Sequence, residues 1–351
     1  MHFRYVAETL RFRRVVRMVC LMARKPRKPA SAKPSARLRP FRRTRAFLWL
    51  NLAAVLLTGG WYLFQPPTRQ AEVRRLVGNA FEKNKNVSPL DVAWDLYQLY
   101  YSPDFVSAPP AAGDRTHLYA GLPLAVSEAR TARLLANRGY LVGYSDALAN
   151  PLWAAYRVVD ISPLPAAPER PERFTVDART VARVEPDAYS NSGYDRGHLA
   201  PNYAVATRHG EAAQRETFLM SNVMPQRHGL NAGLWKQLEM RIATSWPARF
   251  GEVWVFAGPV FGERPARLGG KGARSAPAIP EACYMIVVDE SDGRVRTLAF
   301  ILPQEPAAGA GVEDFLTTID EVERRAGLDF LAELPDVAEA ELEARRAARV
   351  W

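Results

Sequence analysis

Asp195-Arg196-Gly197-His198 puts a carboxylate, a guanidinium, a glycine and an imidazole in consecutive positions. The loop-like Ser190-Asn191-Ser192-Gly193-Tyr194 precedes it, and Leu199-Ala200-Pro201 closes it with a proline. Of the five histidines, only His198 lies in such a run. A neutral imidazole can take a proton from water at neutral pH. Taken alone, His198 also reads as a polar residue at a strand end. Arg196 is either an ion-pair partner of Asp195 or a planar, bidentate fork for phosphate oxygens. Asp195 would repel a scissile phosphate, so its expected task is to orient Arg196 or the backbone. Gly197 lets the chain bend sharply or approach a substrate closely.

Downstream, Ser221-Asn222-Val223-Met224-Pro225-Gln226 leads to Asn231, Trp235, Leu238 and Glu239. Trp235, Leu238, Ile242 and Trp246 form an apolar stripe at helical spacing. Asn231 at its N-terminal edge is a good helix cap, and its carboxamide oxygen is also a hard ligand suited to Mg²⁺. Glu239 lies about 80° round the helix and roughly 12 Å along it. That is too far to bind the same ion easily but close enough to hold its water; an exposed helix charge is the plainer reading. A base, a phosphate clamp and a hard-metal ligand together are what cutting a phosphodiester requires.

The elements that must position these residues read as α+β. Residues 140–144, 152–159, 253–258, 282–288 and 295–302 alternate or run apolar over strand lengths, with Asp292-Gly293 as a hairpin turn. Helices are expected at 208–219, 231–246, 312–325 and 336–350. Strands and helices alternate without a regular βαβ beat.

The net charge of +10 is unevenly spread. Residues 1–45 carry fifteen Lys/Arg against Glu8, which leaves 46–351 at −4. Residues 1–45 therefore read as a disordered basic tail. Ala46 to Phe64 is nineteen residues without a charge, long enough to span a bilayer, with aromatic residues toward its ends. Arg42, Arg43 and Arg45 stop at its edge, so the tail is expected in the cytoplasm and the rest of the chain outside it, on a retained signal-anchor. The periplasmic side of the inner membrane is the first localisation. An Arg-rich, acid-poor start also suits a mitochondrial presequence, which makes the mitochondrial inner membrane the second. Residues 65–118 read as a helical spacer and linker, with Ser88 capping a helix that has Pro89 at its first position. The main domain is then 119–351.

Cys20 and Cys283 cannot pair across a membrane, and two cysteines are too few for a cysteine-based zinc site. Arg196, Arg208, Arg227, Lys236 and Arg241 cluster in sequence around the site, implying local positive potential and salt-sensitive binding. Arg264 to Arg274 is basic and glycine-rich but lacks the Gly-Lys-Ser/Thr ending of a phosphate loop.

The run Gly193-Tyr194-Asp195-Arg196-Gly197-His198-Leu199-Ala200-Pro201 resembles the signature of the DNA/RNA non-specific endonucleases. These form the ββα-metal family, which includes endonuclease G. The second block, Glu216-Thr217-Phe218-Leu219-Met220-Ser221-Asn222 through Pro225-Gln226 to Asn231, Trp235 and Glu239, resembles the family's next motif. Gly258-Pro259-Val260-Phe261 and Phe300-Ile301-Leu302-Pro303-Gln304 extend the likeness, which covers about 127–334. It implies a ββα-metal nuclease domain with a mixed or antiparallel sheet and flanking helices, here preceded by one transmembrane helix.

By that resemblance His198 is the general base, Asn231 the one direct protein ligand of a hydrated Mg²⁺ (Mn²⁺ as a substitute), and Arg196 a phosphate contact. Glu239 is a nearby acid fixing the ion's water. An upstream arginine is Arg170 or Arg173, with Arg170 preferred. Lys236, from the basic cluster rather than the resemblance, is expected as a further substrate contact. DNA and RNA are the implied substrates, cut with little sequence preference to leave 5′ phosphates. The membrane, through 46–64, is a second partner, and a homodimer is compatible with these features. The rival readings are a non-catalytic nucleic-acid-binding or uptake protein and a hydrolase of other phosphodiesters.

Overall fold

The computed structural model describes residues 40–85, 87–108, 115–269 and 276–351. The basic tail up to residue 39, residues 109–114 of the linker and residues 270–275 of the glycine-rich loop lie outside the described residues. The chain divides into one unit ending at Phe64 and another covering Gln65–Trp351.

In the first unit α1 (Pro40–Leu63) contains a 20-residue apolar stretch, Thr44–Leu63, with none of it buried. By length and composition it can cross a membrane, about 30 Å at 1.5 Å per residue. Two of its polar side chains bond back onto the helix itself. Asn51 Nδ2 donates to the Phe47 carbonyl at 2.7 Å and Thr58 Oγ1 to that of Ala54 at 2.8 Å.

The second unit starts with α2 (Pro67–Asn79) and α3 (Pro89–Tyr101). Ser88 and Asp91 exchange capping hydrogen bonds at the start of α3, ahead of Pro89. Strands β1 (Val106–Ser107), β2 (Leu124–Ala125), β3 (Arg133–Ala136), β4 (Leu141–Ser145) and β5 (Asn150–Val159) follow. Strand β6 (Asp195–His198), helix α4 (Asn202–Thr217) and strand β7 (Val223–Gln226) come next. A helical run then covers 228–250 in five pieces. These are α5 (His228–Leu230), a wide π turn (Asn231–Trp235), α6 (Lys236–Met240), a second π turn (Arg241–Ser245) and α7 (Trp246–Phe250). The chain ends with β8 (Glu252–Val260), β9 (Ala282–Ser291), β10 (Arg294–Pro303), β11 (Leu316–Thr317), α8 (Ile319–Ala326), β12 (Leu328–Asp329) and α9 (Asp336–Glu343).

The main sheet has eight strands in the order β1-β10-β9-β8-β5-β4-β3, with β11 also on β10, and every pairing in it is antiparallel. The long central strands are buried on both faces, which is why they read as near-continuous apolar runs. Asp292 and Gly293 both take positive φ (51° and 72°), the conformation that lets a two-residue turn follow the twist of β9 and β10. Val142, Tyr156, Val255, Met285 and Phe300 belong to one packed cluster with Trp235, Leu238, Ile242 and Trp246 of the broken helix. Trp153, Trp254, Phe256, Tyr284 and Ile286 belong to a second, with Ile319 and Val322 of α8 and Leu342 of α9. The four stripe residues are at most 1% exposed, and each contributes on the order of 2 kcal/mol by burial.

Several expected bounds shift for tertiary reasons. The helix expected at 208–219 starts at Asn202 and kinks at Gly210. The one expected at 312–325 is interrupted where Leu316–Thr317 pairs with Phe300 and Ala299 of β10, and α8 starts only after Thr318, whose hydroxyl accepts from Glu321 N–H. The helix expected to reach 350 ends at Glu343, and the tail folds back so that Trp351 packs edge-on against Trp246 and Phe250. Residues 65–118, expected as a spacer before a domain at 119, share one compact unit with the rest. Arg249 Nε donates to Asp95 at 3.0 Å, Arg294 Nη2 pairs with Glu72 at 2.9 Å, and β1 adds a strand to the sheet edge.

Candidate active site

Strands β6 and β7 form a short antiparallel ribbon, Asp195 opposite Gln226 and His198 opposite Val223, and 228–250 leaves directly from its end. Two side chains fasten the ribbon. Asn222 Nδ2 donates to the carbonyls of Ala200 (2.9 Å) and Thr217 (3.0 Å), while its Oδ1 accepts from Ala200 N–H at 2.9 Å. Ser221 Oγ donates to buried Asp177 at 2.6 Å, and Asp177 also holds Arg179. Gly197 is demanded by the opposite strand: a Cβ there would sit on the Gln226 carboxamide. That close approach is to the protein's own side chain.

His198, Asn231, Glu239, Arg170, Arg196 and Lys236 line one cleft of about 310 Å³. Arg173 instead lines an adjoining hollow with Phe174, Glu185 and Arg196. The His198 ring packs at 5.2 Å from Phe174 and 5.1 Å from Phe218, and its Nε2 is buried without a hydrogen-bond partner. Burial first, then the Arg170 cation, push the imidazole down to about 3, so it is neutral at pH 7. Arg170 rests over Phe218 at 5.2 Å.

Trp235 ties helix to strand. Its indole N–H is shared between the His198 carbonyl oxygen (3.2 Å) and Glu239 Oε1 (3.1 Å). Burial raises the Glu239 carboxyl to about 8, against the Trp235 hydrogen bond and the Arg170 and Lys236 charges. Asn231 and Glu239 share the cleft although a regular helix would set them about 80° apart. The π turn at Asn231–Trp235, with Gly233 in a non-helical conformation (φ −101°, ψ −111°), changes that register.

Asp195 has a role that sequence reasoning missed. Its Oδ2 accepts from Asn231 Nδ2 at 2.9 Å and meets His228 Nδ1 at 2.8 Å. With the amide nitrogen committed to Asp195, the Asn231 oxygen is turned away from it. Asp195 therefore orients Asn231 rather than Arg196. Nothing in the spacing announced this, because Asp195 and His228 come together only through the β6–β7 ribbon. Arg196 spends its Nε and Nη2 on the Pro186 carbonyl (3.2 and 2.7 Å), so its two-point edge is tied to backbone. The wider basic cluster also disperses. Arg208 donates to the carbonyls of Val159 (3.2 Å) and Ala243 (2.7 Å), Arg227 stacks on Tyr194 at 4.3 Å, and Arg241 pairs with Glu313 at 3.5 Å.

The oxygen donors suit a hard divalent cation, the Asn231 carboxamide and the Glu239 carboxyl held at one oxygen, while the buried His198 nitrogen with no partner is free to take a proton. Chemically the cleft offers a neutral base, anion-binding arginine and oxygen ligands within one hollow.

A sequence model described as DNA/RNA non-specific endonuclease matches residues 124–337. The chain is 26% identical over 274 residues to a mitochondrial nuclease, EXOG, of Danio rerio, covering 75% of this chain and 76% of the relative. It is 29% identical to a nuclease of Nostoc sp., covering 65% and 85%. In fold it is similar to the endonuclease EndoG solved in complex with EndoGI, with a TM-score of 0.51 and 22% identity over 60% of this chain and 90% of that one. The chain belongs to the DNA/RNA non-specific endonuclease family and is a nuclease, hydrolysing phosphodiester bonds of nucleic acids.

Proposed function

We propose that the protein is a Mg²⁺-dependent endonuclease that cuts DNA and RNA with little sequence preference and leaves 5′ phosphates. One observation carries this reading: the cleft gathers His198, Asn231, Glu239 and Arg170, with Asn231 oriented by Asp195. Asn231 is the residue that would hold the cation, with Glu239 fixing its water and Mn²⁺ as a substitute. When bound, the cation withdraws charge from the phosphate and the leaving oxygen.

The chain's own residues do the rest. His198 Nε2 takes a proton from the water that attacks phosphorus in line; the new O–P bond forms as the bond to the 3′ oxygen breaks, and that oxygen is reprotonated from solvent. Burial, with the Arg170 charge adding to it, keeps the imidazole neutral before substrate arrives. A phosphodiester bound on Arg170 offsets that charge and raises the imidazole's basicity where it is needed. Arg170, Arg196 and Lys236 neutralise the backbone, and Arg173 extends the contact into the adjoining hollow. Reading backbone rather than base edges accounts for the breadth of substrates.

Residues 46–64 anchor the enzyme in a membrane, with the catalytic unit outside the cytoplasm. The periplasmic face is the first location. The mitochondrial inner membrane is the second, favoured by the mitochondrial naming of the Danio rerio relative. The test of function is digestion of duplex DNA, single strands, RNA and a small phosphodiester, with Mg²⁺ or EDTA. The polynucleotides should be cut only with Mg²⁺ and the small diester left intact. Binding without cutting, or preference for the small diester, would overturn the proposal.

A further inference from the structure

The second core cluster, which contains none of the cleft residues, holds the apolar side of α8 and α9. The carboxylates of these elements converge. Glu343, the last residue of α9, is 8% exposed, and its Oε1 is buried with no hydrogen-bond partner. Asp320 and Glu323 of α8 reach it from one side, and Asp329 of β12 and Glu339 of α9 from the other. In each trio the carboxylate oxygens lie within 4.8 Å of one another. Two oxygens bound to one calcium ion at about 2.4 Å can be at most about 4.8 Å apart, so either trio has the span of a shared ligand set.

The charges acting on this group are acidic. Those on Glu343 are Glu323, whose carboxyl also hydrogen-bonds to it, Glu339 and Asp329, and those on Glu323 are Asp329 and Asp320. Arg324 is paired with Glu321 at 2.6 Å and Arg345 with Glu341 at 2.5 Å. Burial and mutual repulsion raise both the Glu343 and Glu323 carboxyls. A buried carboxylate among acids is stable only if it binds a proton or a cation.

We propose that this cluster is a structural site for one hard divalent cation, calcium by its all-carboxylate chemistry, anchored on Glu343. Asp329 and Glu339 complete it, because both are partly buried whereas Asp320 is exposed. The ion ties α9 to β12, which pairs with β2 in a separate two-stranded sheet. It is distinct from the catalytic cation and does not depend on the proposed function.

The test is thermal unfolding of the full chain in detergent at pH 7.5, in EDTA and in 1 mM CaCl₂, on an Asn231→Ala background that removes the catalytic ligand. Calcium should raise the melting temperature by roughly 5 °C. Glu343→Gln and Glu339→Gln should each abolish the rise, and Asp320→Asn should keep it. Far-UV circular dichroism in EDTA checks folding, and if Glu343→Gln does not fold, Glu339→Gln decides. The proposal fails if the Asn231→Ala background shows no rise, or if the rise survives in a folded Glu343→Gln or Glu339→Gln variant. It also fails if Glu343→Gln raises stability in EDTA while calcium shifts neither protein, since a proton shared with Glu323 would then hold the pair.

Discussion

Asn231 is useful as a ligand only if its amide is held one way round, and Asp195 supplies the constraint. Asp195→Ala should raise the Mg²⁺ concentration for half-maximal cleavage about tenfold, the usual cost of losing a residue that orients a ligand, with less effect on the rate at saturating metal. A metal titration of the variant checks this. His198 contributes to the acid limb of stability. Its imidazole titrates near 3 folded and near 6.5 unfolded, so the unfolded chain binds the extra proton between those values. Its contribution is complete above pH 6.5 and is lost as pH falls toward 3, by at most about 1.4 kcal/mol per pH unit. His198→Asn should therefore lose less stability than the parent between pH 7 and pH 4.5, measured by urea unfolding. That His198, Asn231 and Glu239 would serve one site was legible from residue type and spacing, whereas Arg170 was reached only through the family resemblance. Asp195's partner was not legible, since it lies across a ribbon whose pairing no local pattern reveals.

Among the elements, the β6–β7 ribbon is held at Gly197 and Asn222. Gly197→Ala forces its Cβ onto the Gln226 side chain. Overpacking of this kind costs about 1–3 kcal/mol, so a lower melting temperature is expected, whereas a variant as stable as the parent would mean that Gln226 moves aside freely. The strands β4, β5, β8, β9 and β10 were readable because strands buried on both faces leave long apolar runs. The helix bounds were less so. Sequence periodicity does not report the π turns that bring Asn231 and Glu239 to one cleft, nor the strand pairing of Leu316 and Thr317 that splits the helix expected at 312–325.

At the scale of the whole molecule, the segment expected as a spacer is part of the catalytic unit. A chain cut at Arg115 loses α2, α3 and β1, and leaves Arg249 and Arg294 without Asp95 and Glu72. Stranding a largely buried charge costs about 3–5 kcal/mol. Residues 65–351 should fold cooperatively, and residues 115–351 should melt lower or aggregate, as scanning calorimetry would show. These partners lie more than 150 residues apart in the chain, so composition alone could not join them. The most direct measurement is single-turnover cleavage of duplex DNA by residues 65–351 and its His198→Ala variant at saturating Mg²⁺, with equal folding checked by circular dichroism. The account predicts a rate loss of about 10²–10⁴-fold, partly restored by added imidazole. A variant that cleaves within tenfold of the parent would contradict it.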